Sequence, residues 1–135
     1  MGQKEKECVE FCGTGRRKCA VARVKIREGS GKIDINGKSI IEFCSLDDAE
    51  RKILAPLIIT GKVDKIDAKI KTSGGGIIGQ VGAISLGLSR SLEKMDPALR
   101  LSLKKAGLLT RDGRVRERKK PGQPGARKHY QFSKR

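Results

Sequence analysis

Residues 19–27 alternate strictly, with Ala20, Ala22, Val24 and Ile26 on one side and Val21, Arg23, Lys25 and Arg27 on the other. This is the period-two pattern of a strand with one buried face, and its outer face is basic. Gly29-Ser30-Gly31 then leads into Ile33 and Ile35, which continue the apolar face and predict an antiparallel hairpin with the first strand. Asn36-Gly37 signals a second tight turn before a short run at 39–41. Residues 63–72 alternate again, with Ile66, Ala68 and Ile70 inward and Lys65, Asp67, Lys69 and Lys71 outward.

Between these strands the period changes. Ser45 with Asp48 three residues on reads as a helix start, with Asp47, Asp48 and Glu50 placed favourably in its first turn. A helix over 46–55 puts Leu46, Ala49, Ile53 and Leu57 on one side, and Pro56 marks its end or a kink. Val81, Ile84, Leu88 and Leu92 predict a longer amphipathic helix over 79–95, in which Gly82 and Gly87 allow a close approach to the sheet. Asp96-Pro97 forms an N-cap and first-position pair for a short helix that ends at Gly107, with Lys104 and Lys105 at its C-terminal end. Leu108 and Leu109 are the last apolar pair before the character of the chain changes. Strands and helices of this kind, with apolar faces enough for a single modest core, predict one folded body.

From Thr110 onward almost no aliphatic residue remains. Arg111, Arg114, Arg116, Arg118, Lys119, Lys120, Arg127, Lys128, Lys134 and Arg135 face only Asp112 and Glu117. Such a segment cannot offset its ordering entropy by burial, so it is expected to be disordered alone and to order on a polyanion. Its Pro-Gly-Gln-Pro-Gly spacer and two late aromatics, Tyr130 and Phe132, suit a chain threading between nucleic-acid backbones. The reading divides the chain into an N-terminal extension (1–12), a folded body (13–110) and an extended tail (111–135).

A formal net charge of +16 over 135 residues calls for a standing negative partner. RNA, DNA and an anionic membrane surface all satisfy that requirement. No apolar run approaches the roughly 20 residues of a membrane span, and the polar start MGQKEKE lacks the apolar stretch of a signal peptide, so a soluble intracellular protein is expected. The positive residues of the tail are interrupted by Pro and Gly, which disfavours a membrane-surface helix. Cys8, Cys12, Cys19 and Cys44 include no Cys-x-x-Cys pair, and His129 is the only histidine. That composition points to thiols in a reducing compartment, without a metal site or a nucleophilic catalytic constellation.

Residues 74–79, GGGIIG, formally match a dinucleotide-binding G-x-G-x-x-G. A second parallel strand with a ribose-binding acid is missing, since Asp96-Pro97 opens a further helix, and Gln80-Val81 stands where a P-loop requires Lys followed by Ser or Thr. The glycines instead permit a close backbone approach, with the first amides of the following helix free for a phosphate. Tight packing alone explains them equally well. Arg16, Arg17 and Lys18 form a second compact group of cations, suited to phosphate contact.

Together, GTGRRK at 13–18, GSGKIDING at 29–37, GGGIIGQVGAISLGLSRSL at 74–92, DPALRLSLKKAGLLTRDGRVRERKKPG at 96–122 and the terminal QFSKR resemble the small-subunit ribosomal protein nine family in its bacterial form. The resemblance implies an α+β fold, a two-layer α/β sandwich of a mainly antiparallel sheet with helices on one face and an extended basic C-terminal tail, in a non-enzymatic ribosomal protein of the small-subunit head, without a cofactor. Its implied partners are ribosomal RNA, neighbouring head proteins and peptidyl-site transfer RNA, and its place is the cytoplasmic ribosome, with an organelle the lesser alternative. Carried onto this chain, ribosomal RNA contact falls on Arg16, Arg17, Lys18, Gly74, Gly75, Gly76, Gln80, Arg111, Arg114, Arg116, Arg118, Lys119, Lys120, Arg127 and Lys128. Transfer RNA contact falls on Ser133, Lys134 and Arg135.

Overall fold

The computed structural model describes residues 9–44 and 47–134. Strands β1 (Phe11–Arg17), β2 (Ala20–Glu28), β3 (Ile33–Ile35) and β4 (Ile66–Ser73) form one sheet in the order β1-β2-β4-β3. Helices α1 (Ile40–Phe43), α2 (Asp47–Thr60), α3 (Ile77–Met95) and α4 (Arg100–Lys105) complete the body, with a 3-10 turn at Pro97–Leu99. The fold is mixed α+β, as expected. Ala20, Ala22, Val24 and Ile26 of β2 and Ile66, Ala68 and Ile70 of β4 are all buried, and they meet Val81, Ile84, Leu88 and Leu92 of α3 in one core.

The expected hairpin between β2 and β3 does not form. β2 pairs antiparallel with β1 on one side and with β4 on the other, while β3 pairs parallel with β4. Both edges of β2 are therefore occupied. The Gly29-Ser30-Gly31 connection is tied to the start of β4, where the Asp67 carboxylate accepts from Ser30 N at 2.9 Å and Lys32 N at 3.0 Å, so it carries the chain past β4 to its far side. A parallel β3–β4 pair then requires a crossover, which α1 and α2 supply. The Asn36-Gly37 turn is present, with φ of 54° and 80° and a bridge from Ile35 to Lys38. The run at 39–41 enters α1, capped by a reciprocal pair of bonds between Ser39 and Glu42.

Ser45 and Leu46, the expected start of the next helix, lie outside the described residues. Pro56 does not end α2, which holds it within the helix and runs on to Thr60. The effective stop is Gly61, with φ of 64°, where Lys62 N donates to Leu57 O in a Schellman closure. The same motif closes α4, with Gly107 at φ 74° and Leu108 N donating to Leu103 O. Asp96 caps the intervening 3-10 turn by accepting from Ala98 N at 3.1 Å.

Strand β1 was not legible as a strand, because the inward positions after Phe11 are glycines. Its first two residues, Phe11 and Cys12, precede residue 13, where the recognisable motifs begin. Gly13 and Gly15 are buried against α3. A Cβ on Gly15 would lie 2.5 Å from Gly87 N and closer still to the Ala83 carbonyl oxygen. Glycine here permits backbone-to-backbone packing that any side chain would prevent. As an edge strand, β1 has two of its carbonyls covered: Arg90 Nη1 donates to Thr14 O at 2.6 Å and Lys94 Nζ to Cys12 O at 2.7 Å.

Candidate nucleic-acid interface

Three basic or amide-rich segments that are remote in sequence meet at one end of the sheet. The first is the β1–β2 turn, containing Arg16, Arg17 and the exposed Lys18 at φ 51°. Beside it lies the loop from β4 to α3. There Gly74 and Gly75 take φ of 75° and 64°, and a Cβ on Gly74 would sit 2.5 Å from the Cys19 carbonyl oxygen. Only residues without a Cβ allow this loop to lie against the turn. Gln80 Nε2 donates to Gly74 O at 3.1 Å and holds the loop in shape. Gly76 caps α3 without a side-chain hydrogen bond, so the first amides of that helix remain available to an anion.

The third segment is the root of the tail. Arg17 lies across Gly82 of α3, and its guanidinium pairs with Asp112 at 3.5 Å. Asp112 also accepts from Arg114, through Nη2 at 2.8 Å and through the backbone amide at 3.0 Å. Bonds from the Arg114 side chain and backbone hold the Asp112 carboxyl well below the usual carboxylate range, with Arg17 adding to the effect. The cleft at this junction is lined by Arg16, Arg17, Lys52 and Asp112, with Gly107 and Leu108 beside them. The buried Nε of Arg17 has no hydrogen-bond partner among the described residues. Leu108 and Leu109 are half-buried against the core at the exit of the tail.

Beyond the root, the tail has no helix or strand and is mostly exposed through Lys134. Arg127 forks onto Glu117, with Nε at 2.9 Å and Nη2 at 2.7 Å, which lowers the Glu117 pKa. Arg111, Arg116, Arg118, Lys119, Lys120 and Lys128 make no ion pair among the described residues. Ser133 and Lys134 are exposed at the far end, and Arg135 lies outside the described residues.

A family model described as "Ribosomal protein S9/S16" matches residues 15–135. The chain belongs to this family. It is 49% identical over 133 residues to the small ribosomal subunit protein uS9 of Rhodopirellula baltica, an alignment that covers 98% of this chain and 97% of the relative. It is 52% identical over 127 residues to the uS9 protein of Phytoplasma australiense, covering 94% and 98% respectively. As a member of the S9/S16 family, it is a structural, non-enzymatic constituent of the small ribosomal subunit, with ribosomal RNA and ribosomal proteins as its neighbours. The formal G-x-G-x-x-G match accordingly marks a packing and capping loop of a ribosomal protein. No helix among the described residues is long and apolar enough to cross a membrane.

Sequence reasoning passed over Lys52, which α2 delivers to the tail-root cleft. It also assigned no role to Arg23, Lys25, Lys69 and Lys71 on the uncovered face of the sheet. Their alternation was visible, but β2 and β4 become neighbours only through the strand order, and no local signal gives that order.

Proposed function

We propose that the body, residues 13–110, binds ribosomal RNA at the end of the sheet where Arg16, Arg17, Lys18 and the Gly74-Gly75-Gly76 loop lie together. In this reading, Gln80 keeps the loop open to a phosphate. The tail, residues 111–135, continues the contact through Arg111, Arg114, Arg116, Arg118, Lys119, Lys120, Arg127 and Lys128. Its tip, Ser133, Lys134 and Arg135, reaches the transfer RNA in the peptidyl site.

The observation that carries this reading is the junction itself. Arg17 belongs at once to the basic turn and, through Asp112, to the root of the tail, so one continuous cationic path runs from body to tail. Phosphate contacts position a protein without reading sequence, which suits a tip that must accept every transfer RNA. Deleting Ser133, Lys134 and Arg135 is expected to leave folding and subunit assembly intact. It should weaken peptidyl-site binding of several different transfer RNAs by roughly 5- to 30-fold, corresponding to about 1–2 kcal/mol. Wild-type dissociation rates for all of them across a salt series would restrict the tail to anchoring within ribosomal RNA.

A further inference from the structure

The helices cover one face of the sheet, and the other face is open. β2 and β4 lie side by side there, with Arg23 directly opposite Lys71 and Lys25 directly opposite Lys69. All four side chains are exposed, and with Glu10 they line one shallow depression. Only Lys25 has a partner among the described residues: its Nζ lies 3.1 Å from Glu10, which raises the lysine pKa. Like charges placed directly opposite one another on a sheet are destabilising. The free protein therefore carries a two-by-two array of cations at the middle of its sheet, bordered by Glu10 beside Lys25 and by Asp34, in register with Lys69 on β3.

We infer that this open face is a second RNA-binding surface, separate from the turn, glycine loop and tail, and that it takes the phosphate backbone of an RNA duplex. The inference rests on the ribosomal RNA-binding reading proposed above. Within each strand the paired cations are two residues apart, about 7 Å along the sheet. They thus form two parallel rows able to follow a line of phosphates. The face carries no aromatic side chain: Phe11 and Phe43 pack against the core, and Tyr130 and Phe132 belong to the tail. A sheet that reads single-stranded bases needs exposed aromatics for stacking, and a protein partner would need apolar or aromatic anchors. Arg23, Lys25, Lys69 and Lys71 supply charge alone, which suits the backbone of a helix recognised by shape.

The test uses full-length protein and a short RNA duplex of arbitrary sequence as the probe. Arg23, Lys25, Lys69 and Lys71 are replaced together by Gln, and a parallel variant replaces Arg114, Arg116, Arg118, Lys119 and Lys120 by Gln. The face variant is expected to bind at least about tenfold more weakly at physiological salt, with the slope of log K against log salt reduced by about 3.6, since each of the four lost phosphate contacts removes about 0.9 of a unit. Its melting temperature should equal or exceed that of wild type, because the like-charge pairs are gone. If the quadruple variant fails to fold, Lys71→Glu alone creates an opposite-charge cross-strand pair with Arg23 and should likewise weaken binding and reduce the salt slope. Wild-type affinity and slope in the face variant would overturn the inference whatever the tail variant does. An unaffected tail variant would remove the tail from the RNA-binding reading and leave the face in place. Wild-type RNA binding combined with failed incorporation into subunits would assign the face to a neighbouring protein, and would equally overturn the inference.

Discussion

Gly15→Ala places a methyl group where α3 crosses β1. The new Cβ would be 2.5 Å from Gly87 N, against the 3.4–4 Å of ordinary contact, and even closer to the Ala83 carbonyl. Both obstacles are helix backbone, so no rotamer change relieves the clash, and α3 must retreat by about 1 Å from the strand. That helix carries Val81, Ala83, Ile84, Leu88 and Leu92, all buried, so the retreat loosens the core along its length. Overpacking of this kind costs about 3 kcal/mol, the upper part of the usual range. Against it stands the reduced freedom of the unfolded chain, worth about 0.4–1 kcal/mol in favour of alanine. The net loss of about 2–3 kcal/mol corresponds to a fall in melting temperature on the order of 10 °C.

Gly82→Ala, in the same helix, is the internal control. Its Cβ would meet the Arg17 side chain, closest at Cδ and with Nη1 at 2.9 Å; that side chain can shift at the expense of its partly exposed pairing with Asp112, while alanine improves helix propensity by about 1 kcal/mol. It should melt at or slightly above the wild-type temperature. Thermal and urea denaturation of the isolated variants would decide between the two sites. If Gly15→Ala melts within about 2 °C of wild type, the close packing of β1 on α3 is not what requires glycine there.

Three further outcomes are expected. Replacing Arg16, Arg17 and Lys18 together by Ala should weaken competition with wild type for incorporation into small subunits without unfolding the body; equal incorporation would return the cluster to ordinary solvated surface. Asn36→Ala should destabilise by about 2–3 kcal/mol in urea unfolding, because the Asn36 amide both accepts from Thr72 N at 2.9 Å and donates to Thr72 O at 3.0 Å, at a positive φ. Asp112→Asn should lower stability at neutral pH, with the difference from wild type closing in acid. The folded carboxyl has the depressed pKa, so its contribution is complete above the unfolded value of about 3.9 and is lost as pH falls towards the folded one; a difference that persisted unchanged at low pH would contradict the charge argument.

The two long strands and α3 were legible in the sequence because each buries one face against a single partner layer, and burial of that kind prints its period directly. Positions whose role depends on a neighbour distant in sequence were not. β1 hides its inward side in Gly13 and Gly15, whose lack of a side chain removes the apolar signal that defines a strand. Its Gly-x-Gly spacing of two was the trace that remained. The β2–β3 hairpin was a sound local inference defeated by β4, which takes the edge that β3 would have used and fixes the connection through Asp67. At Pro56 a breaker was read as an end or a kink, and the chain in fact ends α2 at Gly61, where a left-handed residue can close the helix. The basic turn and the glycine loop were each visible, but their adjacency comes from the packing of Gly74 on Cys19.

The same distinction separates the two parts of the tail. Asp112 is held by Arg17 on the body and by Arg114 within the tail, while Leu108 and Leu109 rest against the core. The direction in which the chain leaves is therefore set by the protein. Farther out, the Arg127–Glu117 fork joins two exposed side chains, and exposed pairs of this kind contribute little against chain entropy or against competition from phosphate. An anchored root and an unanchored remainder suit a segment that must start from a fixed point and take its path from the RNA it enters. On this argument amide protection in the free protein should fall off after Arg114, the last residue tied to the root. Protection reaching undiminished through Gly125 would mean that the tail carries its own fold and that the RNA does not order it.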